Sequence, residues 1–517
     1  MAKRKIVALP VDGRPVTREQ VQMVARIADC ELICPAVEAL GHFRDAADRD
    51  LLAEWVLQHA DAADGFIFSL DMLVYGGLVP SRFIEDEQQA LIARLDLLRD
   101  LKRRYPDKPL YGFCATMRMS NNNENEEEKL YWAQHGEDIW SWSFYSDRYA
   151  CLRSDEDRLQ AEAAQARIPE EIQRDYLLTR QRNFAVTEAV LSLVESGVID
   201  RLVLPQDDTA EFGFNIAERR QLQQQVEDRQ LQQKVLIYPG ADEVIYTLMV
   251  HQLQSLRRQQ QETAEPLRIA LRPHHPQALE KMVARYEDRP VVDSIRCQIE
   301  AAGAVLVEDE EEADVVIAVH CRGSVQGDWA MQYPLGEDLG FDSVWVARLQ
   351  QDLETSEIPV ALLDLAYANG GDPELISALV RGNPNILTAL HGYSGWNTAS
   401  NSIGSLVAQL CACGVRRTKT EEHNQHLLAT RLLDDYLYQS RLRQSVRAQQ
   451  QQSGVADGDV ATLESAYLTV AREWLDQQGF RKVELQGVYF PWHRSFEIGL
   501  HTKLTVGSHI LEKEGTA

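Results

Sequence analysis

The feature that most constrains the fold is an alternation that persists over the first four-fifths of the chain. Short apolar runs at 6–9, 65–70, 110–114, 201–204, 235–238, 315–319, 360–363 and 386–390 are separated by longer stretches with helical periodicity, such as 88–105, 181–196 and 216–232. Each run is rich in Val, Ile, Leu or aromatic residues and gives way to Gly, Pro or polar residues, as parallel strands covered on both faces do. Strand–helix alternation of this kind implies a parallel sheet with crossover helices. Eight strands close a (β/α)8 barrel, so the expected fold is α/β, a TIM-like barrel over residues 1–415. The stretch 266–319 has its own strand–helix–strand pattern and is expected to be an α/β insertion. Residues 416–517 read as a mainly helical C-terminal region, with helices at 427–452 and 462–478 and short strands within 483–500. Further candidate strands at 31–33, 267–271 and 304–307 leave two or three doubly wound domains as the alternative topology.

Composition narrows the partners. Lys plus Arg is 53 against 79 Asp plus Glu, a formal charge of −26. Such a surface repels phosphate backbones and anionic lipid, which argues against nucleic acid and membrane partners. No run approaches the ~20 apolar residues of a membrane span, and the N-terminus lacks a signal-peptide core, so a cytoplasmic location is expected. The eight cysteines show no zinc-finger spacing and read as reduced, mostly buried thiols. The acidic run 124–128 and the Gln-rich run 259–261 read as solvated surface.

Function is expected where the runs end. In parallel α/β folds the loops after the strands converge on the ligand. Here they carry Asp12 and Arg14, Asp71, Arg118, Asp207 and Asp208, Asp242, Asp364 and Asn369, and Tyr393, Trp396 and Asn397. Singly, Asp and Asn are as readily turn formers or helix caps. The pair Asp207–Asp208 is the sharpest signal. Neighbours on a regular strand face opposite ways, so both can face one ligand only just past the strand end. Close carboxylates cannot both ionise cheaply, so one holds a proton while the other stays anionic. The remaining polar strand ends are expected to bind substrate, with Tyr393 and Trp396, helped by Tyr75, Tyr111 and Tyr367, as an aromatic platform for a sugar ring. Asp12, Asp71, Asp207, Asp208, Asp242 and Glu243 are alternatively a ring of hard oxygen ligands, although neither a metal nor another cofactor is expected. No G-x-S-x-G, G-x-x-x-x-G-K-[ST] or G-x-G-x-x-G motif occurs.

The stretches LPVDGRPV, LDMLVYGGLVPSR, PQDDT, YPGADE, DLAYANGGD and HGYSGWNTASNSIG, in that order, resemble the bacterial family called domain of unknown function 4127. The order of strand-end motifs also resembles, more faintly, the barrel of O-GlcNAcase-type β-N-acetylhexosaminidases. That likeness implies substrate-assisted, retaining hydrolysis, with Asp207 orienting the 2-acetamido group, Asp208 as general acid and base, and Asp364, Asn369 and Asn397 as sugar ligands. The chain departs from that pattern in having Pro205-Gln206 before the pair and Asn397-Thr398 after the last run. The expected function is thus a glycoside hydrolase acting on a small carbohydrate or glycoside. The alternatives are a metal-assisted hydrolase or isomerase of a small polar substrate, and a non-catalytic carbohydrate-binding protein.

Overall fold

A computed structural model describes residues 3–259, 265–414 and 420–505. Eleven of its strands lie in two open, wholly parallel sheets. The first contains β1 (Arg4–Leu9), β2 (Cys30–Ile33), β3 (Gly65–Ser69), β4 (Leu110–Phe113), β5 (Arg201–Gln206) and β6 (Val235–Pro239), in the order β2-β1-β3-β4-β5-β6. The second contains β7 (Arg268–Pro273), β8 (Val305–Leu306), β9 (Val315–His320), β11 (Val360–Asp364) and β13 (Tyr393–Ser394), in the order β13-β11-β9-β7-β8. Two short strands, β10 (Gly327–Asp328) and β12 (Tyr367–Ala368), pair in parallel beside it, and β14 (Val483–Tyr489) with β15 (Gly499–Leu504) makes an antiparallel hairpin.

The single barrel is therefore corrected to two doubly wound units. The reason lies at the first sheet's edges. The short run at 31–33 becomes β2 and pairs along the outer side of β1, where a closing strand would have to dock. At the other edge β6 pairs with β5, while β7 pairs with β8 and β9 instead. The stretch 266–319, expected as an insertion, supplies β7, β8 and β9, with β7 and β9 at the centre of the second sheet. The run at 386–390 is not a strand. Asn383 accepts a bond from the Asn385 amide, and Ile386–Ala389 winds into a 3-10 turn. The edge position goes to β13, whose Tyr393 and Ser394 pair with Leu362 and Leu363.

Strands β3, β9 and β11 are buried along their whole length, as expected for sheets covered on both faces. One apolar core is continuous between the units, joining Ile6, Ile67 and Val203 to Ile269, Ile317 and Val319. Its bridge is the helix Ala399–Cys413, in which all fifteen residues are buried. This helix follows β13 of the second unit, yet packs on the helices Glu19–Ile27 and Val244–Gln259 of the first. Small residues on it, such as Gly404, permit the approach, since a Cβ there would lie 2.4 Å from the Glu243 side chain.

The C-terminal region holds the helix Thr420–Arg431, a π-helical segment Leu432–Leu442, the helices Arg443–Ser453 and Val460–Gln477, and the hairpin. The boundary expected at 415/416 lies outside the described residues, as do residues 260 and 261 of the Gln-rich run. The helix expected over 427–452 is buried from Leu427 through Gln439, because its start packs on the helix Glu19–Ile27 of the first unit while Leu428, Leu432 and Leu433 join the core of the second. All eight cysteines are free, and five are buried. Among the described residues, no helix is long and apolar enough to cross a membrane.

Candidate functional site

The carboxyl ends of both sheets open on one cleft, a cavity of about 430 Å³. Arg14, Arg118, Ser120, Asp207, Asp208 and Asp242 reach it from the first unit, and Asn369, Asn397 and Asn401 from the second. A cleft at the carboxyl ends of doubly wound sheets is the expected ligand position for such folds. The C-terminal region closes it with Arg443, Arg447, Asp457 and the segment Arg494–Glu497.

At the end of β5 the chain leaves the pleat. Asp208 takes φ +40°, a left-handed conformation that Asp tolerates better than most residues, so both adjacent carboxyls line the same cavity. Neither is a helix cap, since the next helix starts at Phe214 after Gly213. The two have different neighbours. Asp208 accepts a hydrogen bond from Ser120 Oγ at 3.1 Å and lies 3.4 Å from Arg118. Asp207 lies at the longer 3.5 Å from Arg82. Burial, then the charge of Asp208, pushes Asp207 up to about 7, against the opposing pull of Arg118 and Arg82.

Arg14 is fixed from several sides. Asp12 accepts from its backbone N–H and its Nε, both at 2.9 Å, Asp242 pairs with its terminal nitrogen, and Glu497 stands 3.4 Å away. Its guanidinium lies over the Trp492 ring, 4.6 Å from the centroid. Asp12 thus acts on the cavity through Arg14. Asp242 also accepts from Asn401, and burial raises it to about 6 even with Arg14 beside it. Across the cleft Asn369 and Asn397 both have positive φ (+59° and +57°), and the Asn369 amide donates to the Asn397 carbonyl.

The acidic run 124–128 is solvated surface only in part: Glu124 and Glu126 are exposed, whereas Glu127 and Glu128 turn inward. Glu128 is buried and accepts from Arg118, Glu127 pairs with Arg118 and Arg494, and Glu126 also faces Arg494. Burial would raise Glu127, but Arg118, Arg494 and Arg82 outweigh it and hold it well below the usual carboxylate range. Arg494 is further held by Glu497 at 2.7 Å. Residues 492–497 therefore fold back over the mouth.

Several expected ligands do not reach the cleft. Asp71 is buried, accepts from the Ala115 amide and is pushed up to about 7 by burial. Asp364 is fully buried and accepts from the Asp372 amide. Tyr393 and Trp396 are 0% and 3% exposed, so the expected aromatic platform is replaced by core packing. Tyr75 and Tyr111 are buried as well, and Tyr367 stacks on Trp329. Aromatic groups gather elsewhere. Trp140, Tyr286 and Tyr333 line a second cavity of about 210 Å³, which shares Ser120, Asn122, Asp208, Tyr286 and Met331 with the first. No strand-end signal marks Trp140, which sits on the helix Trp132–Leu152. Among the described residues, no three His, Cys, Asp or Glu side chains are grouped to hold a metal ion, which leaves the oxygen-ligand ring unassembled.

Fold and site together define an α/β protein with two parallel-sheet units and a cleft lined by charged residues between them. The chain belongs to the family described as protein of unknown function (DUF4127), whose model matches residues 6–501. No curated protein matches it. Among solved structures, the dehydroquinate dehydratase and shikimate dehydrogenase from S. pombe AroM is similar at 12% identity and a TM-score of 0.18, covering 77% of this chain. The match spans 62% of that chain.

Proposed function

We propose that this protein is a glycoside hydrolase that uses Asp207 and Asp208 on a small carbohydrate held in the cleft. The reading is carried by one observation: adjacent carboxyls in unlike surroundings on one cleft, of which Asp208 also lines the neighbouring aromatic cavity. Asp207, raised to about 7, holds a proton near neutral pH and donates it to the departing glycosidic oxygen. Asp208, held by Ser120 and Arg118, is its partner on the other side of the reaction. The aromatic cavity beyond Asp208 suits the leaving group, since sugar and aryl rings stack on such side chains.

In the finer reading, retaining cleavage of an N-acetylhexosaminide, the 2-acetamido oxygen attacks the anomeric carbon as the C–O bond breaks and the leaving oxygen takes the Asp207 proton. Asp208 orients the acetamido N–H. Water then opens the cyclic intermediate and returns a proton to Asp207. These roles are the reverse of those implied by the hexosaminidase resemblance, because it is Asp207 whose surroundings favour the protonated form.

Chromogenic glycosides with and without a 2-acetamido group test the proposal. Asp207→Asn should lower kcat/KM by about 100-fold or more on poor leaving groups and much less on activated ones. Asp208→Asn should slow both. Wild-type rates in both variants, or no turnover of any glycoside, would refute it.

A further inference from the structure

The arginines of the cleft fall into two sets. Arg14, Arg118 and Arg494 are each neutralised by two or more carboxylates. Arg443 and Arg447 line the same cavity, one turn apart on the helix Arg443–Ser453, and among the described residues neither has a carboxylate within ion-pair distance. Arg443 is 2% exposed; among the described residues it donates only to the Gln439 side-chain oxygen at 3.2 Å and its Nε has no hydrogen-bond partner, while its guanidinium packs 4.4 Å from the Phe496 centroid.

The carboxylates nearby are engaged elsewhere. Glu497 serves Arg14 and Arg494. Asp328 accepts from the Ala330 and Met331 amides, Asn369 and Tyr286. Asp457 accepts from the Gly458 and Ser495 amides. A buried cation without a counter-ion is costly in a folded protein, and a bound anion removes that cost. Two neighbouring guanidinium groups present paired donors that match the oxygens of a carboxylate or phosphate.

We infer that Arg443 and Arg447 form an oxyanion subsite, and that the ligand of this cleft carries an acidic group, a carboxylate or a phosphate ester. With the hydrolase reading, on which this extension to a substrate class rests, the substrate is an acidic glycoside, its charged group at the C-terminal wall and its scissile bond at Asp207 and Asp208. An acidic protein that must take an anionic substrate needs such a local cationic wall, since its overall field repels the ligand.

Titration calorimetry on the full-length protein with inorganic phosphate, sodium glucuronate and glucose tests the subsite without requiring turnover. Phosphate or glucuronate should bind at least about tenfold more tightly than glucose, and more weakly as salt rises. Arg447→Gln, at a half-buried position, should reduce anion affinity about tenfold or more, and Arg443→Lys should retain more affinity than Arg443→Gln. Binding of phosphate alone identifies a phosphorylated ligand, and of glucuronate alone a uronic acid. Absence of anion binding, or binding unaltered by Arg447→Gln, overturns the inference. The two proposals fail separately. Anion binding that depends on Arg447 without glycoside turnover would sink the hydrolase reading and leave the subsite. Turnover of neutral glycosides as efficient as that of both uronides and phosphorylated glycosides would do the opposite.

Discussion

The raised Asp207 carries a stability consequence that can be measured without a substrate. Its ordinary value of 3.8 rises to about 7 in the fold, because burial and Asp208 disfavour the charged form more than Arg118 and Arg82 favour it. A carboxyl raised in this way binds its proton more tightly in the native state than in the unfolded chain. The stability it contributes is complete below pH 3.8 and is lost as pH climbs through 7. Three pH units at ~1.4 kcal/mol each put the cost of ionised Asp207 at about 4 kcal/mol near pH 8. Near pH 5 the native side chain is still protonated, and the cost falls to about 2 kcal/mol. Asp207→Asn keeps the shape and removes the charge, so it should stabilise the protein near pH 8 and do so by roughly 2 kcal/mol less near pH 5. Urea denaturation of both proteins at the two pH values reads this difference directly. Equal gains at both pH values, or destabilisation near pH 8, would show that the Asp207 carboxylate is comfortable in the fold and would remove the ground for its proposed role as proton donor.

Two further expectations concern the scaffold. Gly76 has φ +82° at the end of the helix Leu70–Tyr75, and a Cβ there would lie 2.8 Å from the Ala47 backbone nitrogen. Gly76→Ala should therefore cost at least about 1–3 kcal/mol, read as a lowered thermal midpoint, whereas no loss would mean that the 46–47 segment yields freely. Leu406, 1% exposed on the bridging helix, should cost about 2–5 kcal/mol when changed to Ala. Because that helix belongs to both units, proteolysis should then cut both; release of one intact unit alone would contradict a shared core.

Much of the site was legible at the level of the strand end. Arg14, Arg118, Asp207, Asp208, Asp242, Asn369 and Asn397 all follow apolar runs in the sequence, and all line the cleft. The rule holds without the correct topology because barrel loops and doubly wound loops alike gather at the carboxyl edge of a parallel sheet. It fails for Tyr393 and Trp396, since a strand-end position fixes where the backbone goes but not which way a side chain turns. Here both turn into the core. The reading of the acidic run 124–128 as surface likewise fails for Glu127 and Glu128, whose partners Arg82, Arg118 and Arg494 come from three separate parts of the chain.

The amino-acid order by itself determined the parallel α/β class, the position of the paired acids past a strand, and the buried character of most strands, because these depend on local periodicity and on the alternation of strand faces. Whether the sheet would close was decided in three dimensions by edge pairing, with β2 on the outer side of β1 and β7 joined to β9. The tertiary structure alone brought Arg443, Arg447 and Arg494 from the C-terminal region to a cavity founded on β5, a meeting of residues more than two hundred positions apart that only packing between units specifies.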